Sequence, residues 1–378
     1  MVEVPRQCPR CQNKDPAYFF LGAKGWYCRK CIGFRRFLLS DHYEKTNELK
    51  MLEAEYFLPF KLSKKQRVIA EQVKENYRQH NILIYAACGS GKTELMLEFI
   101  VDALRHGWRV GWAIPRRQVV LQLANRLRTY FPTLKVIAVC QGYTNIVEGD
   151  LIVCTTHQLY RYYQYFDYLI IDEPDAFPFK ENEVLQNVAL SACKGKLLFL
   201  TATPDEFVRR HSSLQLELFV RPHKRSLDIP QVIQVFRPWD FLVLGFLIRK
   251  SKRKLIVFVA SIKLAESLHR LLTKFCDCAV ISSQTENKEK TVWDFIKQKK
   301  GVLVSTTILE RGVTIPDIDV VVFRADSEIF DQAALIQMAG RVGRSYLYPQ
   351  GDIWFITNYQ SKKVQQCIQS IEKMNQLA

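Results

Sequence analysis

No stretch of this chain stays apolar long enough to cross a bilayer. The longest apolar run, "FLVLGFLI" at 241–248, falls far short of the ~20 residues that a spanning helix needs. The start, "MVEVPRQCPRC", has no basic segment leading into an apolar one, so no secretory signal is expected. Short repeats and low-complexity tracts are missing too, which leaves an ordinary globular chain. Acidic residues are in deficit: 38 Asp and Glu against 54 Lys and Arg leave a formal charge of +16. That balance favours a polyanionic partner such as nucleic acid or an acidic membrane surface. A disulfide framework is also absent, because most of the eleven cysteines are scattered, and a cytosolic location is expected.

What is present is enough apolar residue, 48% of 378, to bury two ordinary domains and a small module. From about residue 80, near-continuous apolar runs alternate with amphipathic patterns. "NILIYAA", "RVGWAI", "KVIAVC", "DLIVCTT", "DYLIID" and "KLLFLTAT" read as buried strands of a parallel sheet. "KTELMLEFIVDALRHG" and "QVVLQLANRLRTYFP" read as helices stopped by Gly107 and Pro132. The basic, Pro-containing "VRPHKRSLDIP" (220–230) reads as a domain linker. Alternation then resumes with "QVIQVF", "KLIVFVAS", "CAVIS", "GVLVSTT", "DVVVF" and "GDIWFIT". The expected fold is therefore α/β: a small module over 1–38, a first parallel-sheet domain with a leading helical segment over 39–222, and a second over 223–378.

Four of the cysteines stand in two pairs, Cys8-x-x-Cys11 and Cys28-x-x-Cys31, with sixteen residues between the pairs. That spacing signals one tetrahedral zinc held by four thiolates, structural because no coordination position stays open. "YFFLGAKGWYC" between them reads as a two-stranded ribbon. Arg6, Arg10, Lys14, Lys24, Arg29, Lys30, Arg35 and Arg36 crowd the module beside Trp26 and Tyr27. Such a mixture suits nucleic-acid strands, or simply fills a small core.

"ILIYAACGSGKTEL" (82–95) runs strand, glycine loop, helix, as a phosphate loop requires, with Ala86 at the position of the first glycine. Gly89, Ser90 and Gly91 would wrap backbone N–H groups around phosphates at a helix N-terminus. Lys92 would reach the terminal phosphates of ATP and Thr93 would ligate Mg²⁺. Such a site needs an acid at a neighbouring strand end. Asp172, eighty residues past Lys92 in "IIDEPDAFPF", suits that Mg²⁺ role, and Glu173 suits the role of general base for the attacking water. Pro174 is expected to hold Glu173 extended and so to send the chain out of the strand without starting a helix.

Farther on, "QMAGRVGR" (337–344) follows a helical start, and helical spacing would put Arg341 and Arg344 on successive turns. Facing a γ-phosphate, they would act as arginine fingers. "TAT" (201–203) and "STTILERGVTIP" (305–316) end strands, the second offering hydroxyls and Gly312 to ATP or to a strand backbone. The tyrosine-dense "HQLYRYYQYFDY" (157–168) suits either base stacking or packing of a helix on the sheet.

Taken in order, "AACGSGKTE", "IIDEPD", "TAT", "TTILERGVT" and "QMAGRVGR" resemble the superfamily-two helicase and translocase core, over roughly residues 55–378. That resemblance implies two RecA-like domains that clamp ATP between them. It implies adenine reading by Gln66 in "LSKKQ" and strand contacts from "PRRQ" and "TTHQL", hence Arg116, Thr155 and Thr156, with Thr306 in the second domain. The N-terminal four-cysteine ribbon, "DEPDAFPF" and "ILERGVT" are similar to the ComFA competence helicases. PriA-type helicases are the nearest alternative, but their fork-binding domain has no counterpart here and zinc precedes the motor. The ComFA resemblance implies an ATP-driven motor on single-stranded DNA during uptake, with Mg²⁺ and structural Zn²⁺. It also implies a place at the inner face of a membrane DNA channel, a phosphoribosyltransferase-like competence partner and a single-strand-loading recombination mediator; a homo-oligomer is left open. An RNA helicase and an ATP-gated clamp without directional movement share the same motifs.

Overall fold

A computed structural model describes residues 4–39, 51–309 and 315–378. Contacts divide it into two compact units, one of residues 1–85 and 92–217, the other of residues 86–91 and 218–378.

The first unit begins with the ribbon. β1 (Phe19–Gly22) and β2 (Gly25–Cys28) pair antiparallel around a tight turn, with Phe19 opposite Cys28 and Gly22 opposite Gly25. α1 (Lys64–Asn76) follows, started by Ser63, whose side chain accepts from Gln66 N while Gln66 returns a bond to the Ser63 backbone. Two orphan helix donors are thereby satisfied at once.

The sheet of this unit is built from β3 (Ile82–Ala86), β4 (Val110–Ile114), β5 (Val136–Val139), β6 (Leu151–Thr155), β7 (Phe166–Asp172), β8 (Cys193–Thr201) and β9 (Leu214–Leu218). Their spatial order is β5-β6-β4-β7-β8-β3-β9, and β5 through β3 in that order run parallel. Every residue of β4 and β6 is buried, as a sheet covered on both faces demands. α2 (Lys92–Arg105), α3 (Arg117–Tyr130), α4 (Glu183–Ala192) and α5 (Glu206–His211) alternate with the strands. The six expected strands and two expected helices are all present. Gly107, at φ 76°, closes the end of α2 in the left-handed region that a helix stop commonly uses.

In the second unit, β10 (Gln231–Gln234), β11 (Lys254–Phe258), β12 (Cys278–Ile281), β13 (Val302–Ser305), β14 (Ile318–Phe323) and β15 (Ile353–Thr357) form an all-parallel sheet of order β10-β15-β14-β11-β13-β12. α6 (Trp239–Lys250), α7 (Ile262–Leu272), α8 (Lys288–Lys297), α9 (Gln332–Ala339) and α10 (Lys362–Gln376) provide the crossovers and cover. Both sheets are the RecA-like parallel sheets that the motif order implies. The apolar run 241–248 lies inside α6, and among the described residues no helix is long and apolar enough to cross a membrane.

Candidate active site

β3 is almost wholly buried and delivers the chain into the phosphate loop. There Gly89 and Gly91 sit at φ 79° and 81°, the left-handed region where any Cβ is strained. That conformation turns successive N–H groups toward one point, just where α2 presents the positive end of its dipole. Ser90 is fully buried beneath the loop. Lys92 and Thr93 open α2, so both side chains issue from its first turn. Arg126 of α3 donates to the Thr93 hydroxyl and lies 3.7 Å from Glu94.

Asp172 ends β7, paired with Leu200 of β8. Burial pushes its carboxyl up to about 7; Lys92 pulls the other way and Glu173 adds to the rise by like charge. Its Oδ1 is sheltered from solvent without a hydrogen-bond partner. An orphaned carboxylate oxygen under the influence of Lys92, with the Thr93 hydroxyl next in the chain after that lysine, supplies the oxygen donors that Mg²⁺ prefers, so these residues fit that ion.

Glu173 corrects the expectation drawn from Pro174. It is not extended but sits at φ 55°. Its N–H still bonds to Leu200 O (2.9 Å), and its carbonyl then accepts from Ala176 N (3.0 Å). The chain therefore leaves the sheet through a tight turn whose first residue is left-handed, a strain of roughly 1–3 kcal/mol. Proline disfavours the right-handed helical region for its predecessor, and this turn satisfies that restriction by the opposite sign of φ.

One member of the box was missed from sequence. Asp175 is buried, and its two carboxylate oxygens accept from the Thr201 and Thr203 hydroxyls, each at 2.5 Å. Thr203 N also bonds to Thr201 Oγ1 at 2.9 Å. The "TAT" segment is thus tied to the acidic box, because β7 and β8 are adjacent and end at the same level. Both boxes were visible as letters, whereas their adjacency is a property of strand order.

The remaining first-unit candidates separate. Gln66 is buried with its Oε1 bonded to Ser63 N (2.9 Å), so part of its side chain caps α1. Arg116 is the residue preceding α3, half-buried. Thr155 and Thr156 are buried at the junction of β6 and a 3₁₀ turn over Thr156–Arg161, and the Thr156 hydroxyl is shut off from solvent. The tyrosine stripe packs. Tyr162 and Tyr165 are buried, whereas Tyr160 and Tyr163 meet ribbon residues Phe34 and Phe37 at ring distances of 6.4 and 5.1 Å.

Within the second unit, Thr306 is half-buried just past β13, and Gly312 lies outside the described residues. The arginine pair departs from helical spacing. α9 ends at Ala339, and Gly340–Gly343 form a turn with Gly343 at φ 67°. Gly340 is still right-handed at φ −65°, and the chain turns away only at Gly343, whose left-handed backbone no further helical turn could use. Arg341 is buried, and Arg344 Nε donates to Gly340 O at 2.7 Å.

The four ribbon cysteines are buried, with all sulfurs within 4.8 Å of one another. Cys8 and Cys31 sulfurs are 3.9 Å apart, and those of Cys11 and Cys28 are 3.7 Å apart. A tetrahedron with metal–sulfur bonds of about 2.3 Å has edges of about 3.8 Å, so the set fits zinc. The neighbouring Cys11 and Cys8 sulfurs and the Arg10 guanidinium hold Cys31 well below the ordinary thiol range, which favours the thiolate. Arg10 is buried, donates to Cys31 Sγ (3.2 Å), Cys31 O (2.7 Å) and Arg35 O (2.8 Å), and so orients the second knuckle. The module docks on its own unit: Asn187 of α4 donates to Cys11 O (3.1 Å), and Lys30 lies 3.5 Å from Glu183.

Comparison with known proteins agrees with this geometry. Residues 59–206 match the family described as "Type III restriction enzyme, res subunit", and residues 240–346 match "Helicase conserved C-terminal domain". The competence protein ComFA of Bacillus subtilis strain 168 is 31% identical over 98% of this chain and 86% of its own length. ComFA of Streptococcus pneumoniae R6 is 33% identical over 98% of this chain and 90% of its own. Among solved structures, yeast Dbp5 bound to RNA and ADP BeF3 is similar at a TM-score of 0.65 and 19% identity, over 83% of this chain and 88% of that one. RecG bound to a three-way DNA junction is similar at 0.58 and 20% identity, over 84% and 47%.

Proposed function

Since the chain belongs to the ComFA family of competence proteins, we propose that it hydrolyses ATP to move along single-stranded DNA during DNA uptake. It is an ATP-hydrolysing helicase or translocase of the superfamily-two group. The observation that carries the chemistry is the first unit's own arrangement: Lys92 at the head of α2 acts on Asp172, whose sheltered oxygen has no protein donor.

On this reading Gly89, Ser90, Gly91 and Lys92 hold the phosphates, and Gln66 reads the adenine with what its capping role leaves. Thr93 and Asp172 would hold Mg²⁺, which neutralises charge on the phosphate oxygens. Glu173 orients the attacking water and takes its proton, its backbone fixed by the turn to Ala176. Arg341 and Arg344 meet the charge that develops on the γ-phosphoryl group, and Gly312 lies in the same motif set. Asp175, gripping Thr201 and Thr203, relays the state of the acidic box to the end of β8. Arg116, Thr306 and the backbone of Thr155 and Thr156 contact the strand. Domains divide at 1–38, 39–222 and 223–378, with residues 218–222 at the end of the first packing with the second unit, and Cys8, Cys11, Cys28 and Cys31 hold a structural zinc. The partners are those of the family: the membrane DNA channel, a phosphoribosyltransferase-like competence protein and a recombination mediator, with the motor peripheral to the membrane's inner face.

The test is ATP turnover of the full chain with single-stranded DNA and RNA of equal length. DNA raises the rate, and Lys92→Ala and Glu173→Gln abolish it, the latter still binding ATP. Stimulation by RNA alone would overturn the uptake reading, and normal hydrolysis by Glu173→Gln would overturn the assignment of the base.

A further inference from the structure

The segment 220–230 has the composition of an exposed linker, yet Arg221 within it is only 1% exposed. In the second unit, which counts residues 86–91 among its members, its guanidinium donates to main-chain carbonyls. Nη1 reaches Val342 O (2.8 Å) and Gly343 O (3.1 Å), Nη2 reaches Gly340 O (3.5 Å), and Nε reaches Cys88 O (3.0 Å). His223 Nε2 shares the Gly343 carbonyl at 2.8 Å.

Burying a guanidinium is costly unless its donors are satisfied. Here the acceptors cluster where α9 ends, at the negative pole of that helix, which favours a cation. Burial pushes Arg221 down to about 10, with Arg344 adding to the fall by like charge; the side chain therefore remains a cation at neutral pH. The turn leaves little room: Gly343 is left-handed, and a Cβ there would stand 2.5 Å from Pro349 O and 2.8 Å from Arg221 Nη1. Each carbonyl that it holds between residues 340 and 343 flanks Arg341 or Arg344 in the chain.

We propose that Arg221 is a positioning residue for ATP hydrolysis: it fixes the Gly340–Gly343 turn and thereby the aim of Arg341 and Arg344. This rests on the assignment of those two arginines to the γ-phosphate made above. A lysine supplies the charge but not the planar fork that bridges several carbonyls.

The experiment measures ATP hydrolysis by the full chain, saturated with oligo(dT), for Arg221→Gln, Arg221→Lys, Arg344→Ala and the double variant Arg221→Gln/Arg344→Ala, each with a thermal melt. Arg344→Ala lowers kcat about 10³-fold. Arg221→Gln lowers it about 10²-fold, the scale of a small misplacement, with the KM for ATP little changed; Arg221→Lys falls between it and wild type. In the double variant the Arg221 change costs clearly less than in the wild-type background, because one of the two groups it aims is gone and only Arg341 is left to misplace. Wild-type kcat in Arg221→Gln overturns the proposal, as does an equal loss in both backgrounds. A wild-type kcat in Arg344→Ala instead overturns the finger assignment. If Arg221→Gln does not fold, the half-buried His223 is tested instead: His223→Ala keeps its melting temperature and loses several-fold in kcat, and an unchanged kcat overturns the proposal.

Discussion

Asp175 shows what a single buried carboxylate does for the box that contains it. Its two oxygens take the hydroxyl protons of Thr201 and Thr203, and hydrogen bonds to a charged group contribute about 1.5–3 kcal/mol each. Asp175→Ala is expected to lower the urea-derived unfolding free energy by at least about 2 kcal/mol, and to cut the stimulation of ATPase by single strands more than basal turnover. An unchanged unfolding midpoint would contradict the role. At this scale the letters of the box were readable before the fold was known, since paired acids after an apolar strand have few other uses beside a phosphate loop. The backbone of Glu173 was misread: a rule about the residue before proline excludes one region without choosing between the others. Its φ of 55° comes from the turn to Ala176, a contact no local rule supplies.

Among the elements, the ribbon and the 3₁₀ turn after β6 explain each other. Phe34 and Phe37 leave the second cysteine knuckle and meet Tyr160 and Tyr163, and Phe34 also meets His157 at 5.9 Å. A stripe that sequence left open between stacking on bases and packing is therefore a landing face for the zinc module. Bound zinc of one ion per chain is expected, and its removal by a chelator should expose this face. The near-UV circular dichroism should fall and the first ~39 residues become protease-sensitive, while both sheets persist, because a closed four-cysteine site contributes folding energy outright. A metal-free chain with unchanged near-UV signal and protease resistance would contradict the docking account. Buried strands were easy to read here, as β4, β6 and β14 are buried from end to end and apolar but for Thr155 and Asp319. β9 went unread because "LQLEL" alternates in burial at the sheet edge and runs straight into the basic segment. Arg221 escaped for the opposite reason: its segment has linker composition, and nothing in the letters says that a helix end will bury it.

For the whole molecule, composition and motif order pointed to the same answer from different directions. A formal charge of +16 suits a polyanion, and two parallel-sheet units carrying a phosphate loop, an acidic box and an arginine pair suit a motor that couples ATP turnover to movement along it. Hydrolysis alone would also fit a clamp that grips and releases in place, so the decisive observable is displacement. The direct measurement places the full chain on a biotinylated single strand blocked by streptavidin and follows release of the block with ATP. The account predicts ATP-dependent release from DNA in one direction, lost in Lys92→Ala and Glu173→Gln. Strand-stimulated hydrolysis with no release above the spontaneous rate, from either end, would contradict it.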